Sequence, residues 1–99
     1  MFERESSNAK PLKQLLEKLI EMHGWEDKLD FNKMLGFWHE IVGDSIATHS
    51  SLNKMVEGVL HIRTDSSVWR SELLIREAEI IKLINERLSK NAVISLKIR

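Results

Sequence analysis

Four histidines, at positions 23, 39, 49 and 61, are the residues best suited to metal ligation or proton transfer in a chain that has no cysteine. Their spacing supports neither. His39-Glu40-Ile41-Val42-Gly43 opens like the helical zinc-protease motif, in which two imidazoles one turn apart hold zinc and the glutamate activates water. Gly43 stands where the second imidazole belongs, and one ring does not hold zinc in a useful site. Ser66 and Ser67 lie just before a helix, where capping explains them better than nucleophilic attack. Glu77 and Glu79 project from different sides of a helix and cannot share one reacting group. The glycines at 24, 36, 43 and 58 are isolated, so no phosphate-cradling loop forms. The reading is a non-enzymatic binding protein with no catalytic residue, cofactor or metal.

The remaining chemistry is charge. The 15 Lys/Arg and 15 Asp/Glu cancel, but unevenly along the chain. Residues 1–50 carry 6 cations against 9 anions, and residues 51–99 carry 9 against 6. Within the basic half, alternation in one predicted strand places His61 and Arg63 on the side opposite Leu60 and Ile62. In the last strand it places Val93, Ser95, Lys97 and Arg99 opposite Ile94, Leu96 and Ile98. If these strands are neighbours, Arg63, Lys97 and Arg99 form a basic patch around His61, with Arg70 of the next helix as its flank. Such a patch neutralises phosphates and binds nucleic acid in a salt-dependent, sequence-independent way. An ordinary solvated sheet face is the competing reading. No aromatic residue falls among the outward positions, so base stacking is not expected. Trp25, in a charged connector, is a candidate anchor for a protein partner.

These side chains depend on the elements that position them. At 99 residues, 42% apolar and 30% charged, the chain suits one globular domain. Residues 1–9 read as a flexible N-terminus and 10–99 as the domain. The charged start, with no apolar run long enough for a signal or a span, makes the cytoplasm the default. Leu12, Leu15, Leu16, Leu19 and Ile20 mark a helix that Pro11 opens and His23-Gly24 stops. Trp25 to Asp30 reads as a connector with Asp30 as N-cap. A second helix then carries Met34, Phe37, Trp38, Ile41 and Val42 inward, with a bend or restart at Gly43.

Strands over 51–56 and 59–64 flank a tight Glu57-Gly58 turn. A helix over Val68 to Ser89 presents Trp69, Leu73, Ile80, Ile84 and Leu88, but Glu77 intrudes on that stripe, predicting a kink or two abutting helices near Ile75–Ala78. After a Lys90-Asn91 turn, Ala92 to Ile98 is the last strand. The order is α-α-β-β-α-β. Right-handed crossover makes the last strand parallel to the second, giving a three-stranded mixed sheet with helices on one face. Trp38, Ile41, Leu60, Ile62, Trp69 and Leu73 are its predicted core.

Four spaced segments resemble one family. They are Trp38-x-x-Ile41-Val42-Gly43-x-x-Ile46-Ala47-x-His49, Gly58-Val59-Leu60-x-Ile62, Asp65-Ser66-Ser67-x-Trp69-x-x-Glu72-Leu73 and Ile81-x-x-Ile84-Asn85. Together they are similar to the DciA-like bacterial family, formerly a domain of unknown function, and most to its short Bacteroidetes-type versions, over about residues 12–99. The resemblance implies an α+β fold of KH-like type II and a role in DNA replication. It also implies a DnaB-type replicative helicase as partner, as a loader or operator would have, and DNA as a second, weakly and non-specifically bound partner. A GxxG clamp of the KH kind is missing, since no glycine follows Gly58. Any DNA contact is therefore expected on another surface, such as the basic sheet face. Many relatives carry a long basic extension, so activities depending on one are expected to be lost from a chain ending at Arg99. A protein-interaction adaptor without nucleic-acid binding is the alternative.

Overall fold

The structure is a computed structural model; it describes the backbone of residues 2–22 and 24–99 and the side chains of 10–19, 21–22 and 24–99. Its elements are helices α1 (Phe2–Met22), α2 (Trp25–Val42) and α3 (Asp44–Thr48), strands β1 (Ser50–Val56) and β2 (Val59–Thr64), helices α4 (Ser67–Ile75) and α5 (Glu77–Leu88), and strand β3 (Ser95–Ile98). The fold is α+β, and the three strands lie in the order β1-β2-β3. β1 pairs antiparallel with β2, and β3 returns parallel to β2 after the α4–α5 crossover.

The core lies between the sheet and α2, α4 and α5. Leu60 and Ile62 from β2, Leu96 and Ile98 from β3, and Met55 from β1 meet Met34, Phe37, Trp38, Ile46, Leu73, Ile80 and Ile84. Ile41 and Trp69 are half-buried against this cluster. Trp38 satisfies its indole N–H on the Ser50 hydroxyl at 3.1 Å, and that hydroxyl donates in turn to the Ile46 carbonyl at 2.6 Å. A large ring is thus buried without an orphan donor.

The long helix breaks at Arg76, where α4 ends and α5 starts. Glu77 then accounts for its own place in the apolar stripe, because its carboxylate accepts the Leu96 backbone N–H at 2.9 Å. The Ser95 and Arg99 N–H groups both bond β2-side carbonyls, those of Gly58 and Ile62. The Leu96 N–H therefore points to the opposite, unpaired edge, and Glu77 satisfies it there.

Four local expectations are corrected. α1 begins at Phe2, so Pro11 lies inside the helix rather than in its first turn; the residues upstream carry no apolar stripe that would have signalled helix. The stop at its other end involves Gly24, at φ 68°, while His23 lies outside the described residues. Trp25 to Asp30 is not a connector, since α2 starts at Trp25 with Glu26 and Asp27 in its first turn, where negative charge suits the helix dipole.

Asp30 is consequently no N-cap but a buried helix residue, 4% exposed, whose carboxylate meets Lys90 Nζ at 2.7 Å. Lys90 also reaches Glu26 at 2.8 Å, tying α2 to the turn before β3. Burial alone would lower the lysine pKa, but its hydrogen bonds to Asp30 and Glu26 outweigh that and hold it above the ordinary 10.5.

The alternation expected across Ala92 to Ile98 fails at its start. The Asn85 side chain takes the Val93 N–H at 2.9 Å and donates to the Val93 carbonyl at 3.0 Å. This clamp turns Val93 into the core, 2% exposed, and leaves Ile94 outside at 74%. Regular strand begins only at Ser95, and from there the expected phase holds.

Candidate nucleic-acid interface

The β1–β2 turn starts the construction of the site. Glu57 and Gly58 both have positive φ, 49° and 82°, the twist a two-residue hairpin needs. Val56 then faces Val59, and Met55 faces Leu60. Between Leu52 and Lys54 the register shifts by a bulge at Asn53. The extra residue reverses the phase of the strand. Simple alternation would send Lys54 inward with Leu52; the bulge sends it outward, opposite His61.

Two rows of side chains result on the face opposite the core residues Leu60, Ile62, Leu96 and Ile98. In the first, Lys54 pairs with His61 and His61 with Lys97. In the second, Ser51 pairs with Arg63. Arg99 continues β3 alongside it, held by its N–H to the Ile62 carbonyl at 2.9 Å and by the Thr64 N–H to its own carbonyl at 2.8 Å. Lys54, Arg63, Lys97 and Arg99 are all exposed, and among the described residues none has an acidic partner. His61, half-buried at the centre, has its pKa pushed below 6.5 by desolvation and then by the charges of Lys54, Lys97 and Arg99. Phosphate oxygens placed here would relieve that repulsion.

The sequence-derived set is thus brought together in four of its five members: His61, Arg63, Lys97 and Arg99. Arg70 is apart. It is exposed on α4, in the helical layer, and is not among the charges felt by His61. Lys54 lies outside that set, and its one signal in the sequence is Met55, whose apolar side chain next to a tight turn requires a change of phase in β1.

A family model described as "Dna[CI] antecedent, DciA" matches residues 11–98. The chain belongs to the DciA family. Similar proteins include the UPF0232 protein of Mycobacterium ulcerans (strain Agy99), 30% identical over 94 residues, which are 95% of this chain and 50% of that protein. The UPF0232 protein of Rhodococcus jostii (strain RHA1) is 26% identical over 94 residues, 95% of this chain and 50% of its own length. That of Mycobacterium tuberculosis (strain ATCC 25618 / H37Rv) is 30% identical over 91 residues, 92% of this chain and 49% of its own. The chain spans about half the length of these curated relatives.

A second surface of this DciA-family chain is apolar. α1 packs on α2 at one end, and Leu12, Leu15, Leu16, Leu19 and Met22 remain exposed, Met22 by 73%. Trp25, 45% exposed, joins Leu16, Lys28 and Leu29 around a hollow of about 380 Å³. The molecule is correspondingly long, 58 × 24 × 19 Å, with a radius of gyration of 16.8 Å. A compact chain of this length would have about 13 Å. The helical period is satisfied, yet its apolar side does not face the core. No helix among the described residues is long and apolar enough to cross a membrane.

Proposed function

We propose that this chain is a non-catalytic, cytoplasmic replication accessory protein of the helicase-loader type, a single KH-like domain over residues 10–99. It binds DNA phosphates through the open sheet face and a DnaB-type helicase through the α1–α2 surface around Trp25. Family membership supports the general role. The observation that carries the DNA part is the two-row arrangement of Lys54, His61 and Lys97 beside Arg63 and Arg99 on an uncovered face. Cations closely spaced on a flat sheet suit a phosphate backbone and read no base sequence. Arg70, in the other layer, contributes as a peripheral charge at most.

The exposed stripe from Leu12 to Met22 favours a protein contact, since monomeric soluble domains seldom leave so many large apolar side chains together in water. A pure adaptor with no DNA role is the second reading that this stripe supports. A gel-shift titration at low salt separates the two. The loader reading expects binding that the R63A/K97A/R99A variant loses regardless of DNA sequence, together with recovery of the helicase by the wild-type chain and not by a Trp25→Ala, Leu29→Ala variant. Absence of any DNA shift at low salt leaves the adaptor.

A further inference from the structure

Beside the Arg63 end of the cationic face is a cleft of about 350 Å³ lined by Thr48, His49, Ser51, Arg63, Thr64 and Asp65. His49 comes from the α3–β1 junction and Asp65 from the β2–α4 junction. Their backbones are already joined by the Asp65 N–H to the His49 carbonyl at 3.2 Å. The side chains add a second arrangement. The imidazole Nδ1 lies 2.8 Å from the Asp65 carboxylate, and the ring stacks on the Trp69 indole with centroids 4.5 Å apart and planes 6° from parallel. One side of the imidazole is therefore covered by indole and its tilt is fixed by a carboxylate. His49 lines the cleft and keeps 38% of its side chain exposed. A fastener between two loops needs no ring held flat and presented to solvent; a stacking platform does.

The rest of the cleft chemistry fits the same ligand. Thr48 and Thr64 spend their hydroxyls on the carbonyls of Asp44 and Arg99. Ser51 and Arg63 keep their side-chain donors unengaged among the described residues. The Asp65 carboxylate disfavours a free anion inside the cleft, yet it is a ready acceptor for an exocyclic amino or ring N–H. Arg63 stands at the mouth, in the row with Arg99, where a backbone phosphate crossing the sheet would arrive.

We propose that this cleft takes one unpaired nucleobase, stacked on the His49–Trp69 ring pair, with the adjoining phosphate on Arg63. The inference rests on the reading of the sheet as a phosphate-binding face and adds a preference for single-stranded nucleic acid. In a duplex both faces of each base are already stacked, so the cleft selects strands whose bases are free to leave the stack.

Fluorescence anisotropy at one salt concentration tests this with three oligonucleotides of equal phosphate count: a base-bearing single strand, an abasic single strand and a blunt duplex. The wild-type chain is expected to bind the base-bearing strand about tenfold more tightly than the abasic one. His49→Ala should reduce affinity for the base-bearing strand to the abasic level and leave the abasic strand unaffected. His49→Phe, which keeps a flat ring, should retain the preference. Equal affinity of the wild-type chain for all three overturns the cleft and leaves the phosphate face standing. Absence of binding to any of them at low salt removes both. The abasic comparison needs no variant, so a folding defect in His49→Ala does not obscure the result.

Discussion

Glu77 and Leu96 join the helical layer to the outer edge of the sheet: the carboxylate of the first residue of α5 accepts the backbone N–H of β3 at 2.9 Å. An edge strand offers unpaired N–H and C=O groups to any neighbouring chain. Glu77→Ala should cost about 1–2 kcal/mol through the unsatisfied amide. It should also promote concentration-dependent association, measured by sedimentation velocity. Glu77→Gln, which keeps an acceptor oxygen, should stay close to wild type in both.

Lys90 neutralises a carboxylate that the fold has taken out of water. Lys90→Met should leave Asp30 buried and unpaired, destabilising the domain by about 1–3 kcal/mol, less than the roughly 3–5 kcal/mol of a fully buried pair because Lys90 is itself a third exposed. Asp30→Asn in the same background should recover part of the loss in urea unfolding. The raised lysine pKa gives the sign of the pH effect: this contribution is full below pH 10.5 and fades as pH rises through the higher folded-state value.

Gly58 sits at φ 82°, and a Cβ built there would lie 2.7 Å from Ile94 Cδ1. Cγ1 of Ile94 lies at 2.9 Å as well, but this exposed side chain can turn about χ1 as a whole, so backbone strain decides the outcome. Gly58→Ala should cost about 1–2 kcal/mol in thermal or urea unfolding. Trimming Ile94 to alanine alongside it should restore little.

On the proposed phosphate-binding face, His61 should make DNA binding pH-dependent. Its protonation is suppressed by desolvation and by Lys54, Lys97 and Arg99, and a bound phosphate offsets those charges. DNA affinity should therefore rise as pH falls from 8 toward 5.5, about the interval over which a histidine changes charge, and His61→Gln should flatten that rise. In the free protein the sign is opposite. A lowered folded-state pKa means the unfolded chain binds the proton more readily, so this group's influence on stability is absent well above pH 6.5 and turns unfavourable as pH falls below it.

Much of this architecture is legible in the residues. Glu57-Gly58 between two alternating runs announces the hairpin. Glu77 inside an apolar stripe announces the break at Arg76. The parallel return expected of β3 then brings Lys97 beside His61. What escapes is whatever a distant partner decides. The Asn53 bulge redirects Lys54, and nothing local states which residue of β1 is unpaired. Asp30 reads as a cap because its partner, Lys90, is 60 residues further along the chain and is brought to it only by the fold. The Asn85 clamp reverses Val93 and Ile94 against their alternation. The stripe of α1 fixes a helix but not which body covers it. His49 and Trp69, each ordinary alone, become a stacked pair only when α3 and α4 are brought to the same end of the sheet.

The most direct test of the phosphate-binding face is the slope of log K against log salt concentration for a short single strand, measured for the wild-type chain and for the K54A/R63A/K97A/R99A variant. Every phosphate that the variant no longer neutralises should reduce the slope by about 0.7. The proposed phosphate-binding face predicts a wild-type slope of about −2 to −3 falling close to zero in the variant, with its far-ultraviolet dichroism and urea midpoint unchanged. A folded variant with the wild-type slope would place the DNA-binding surface elsewhere and contradict it.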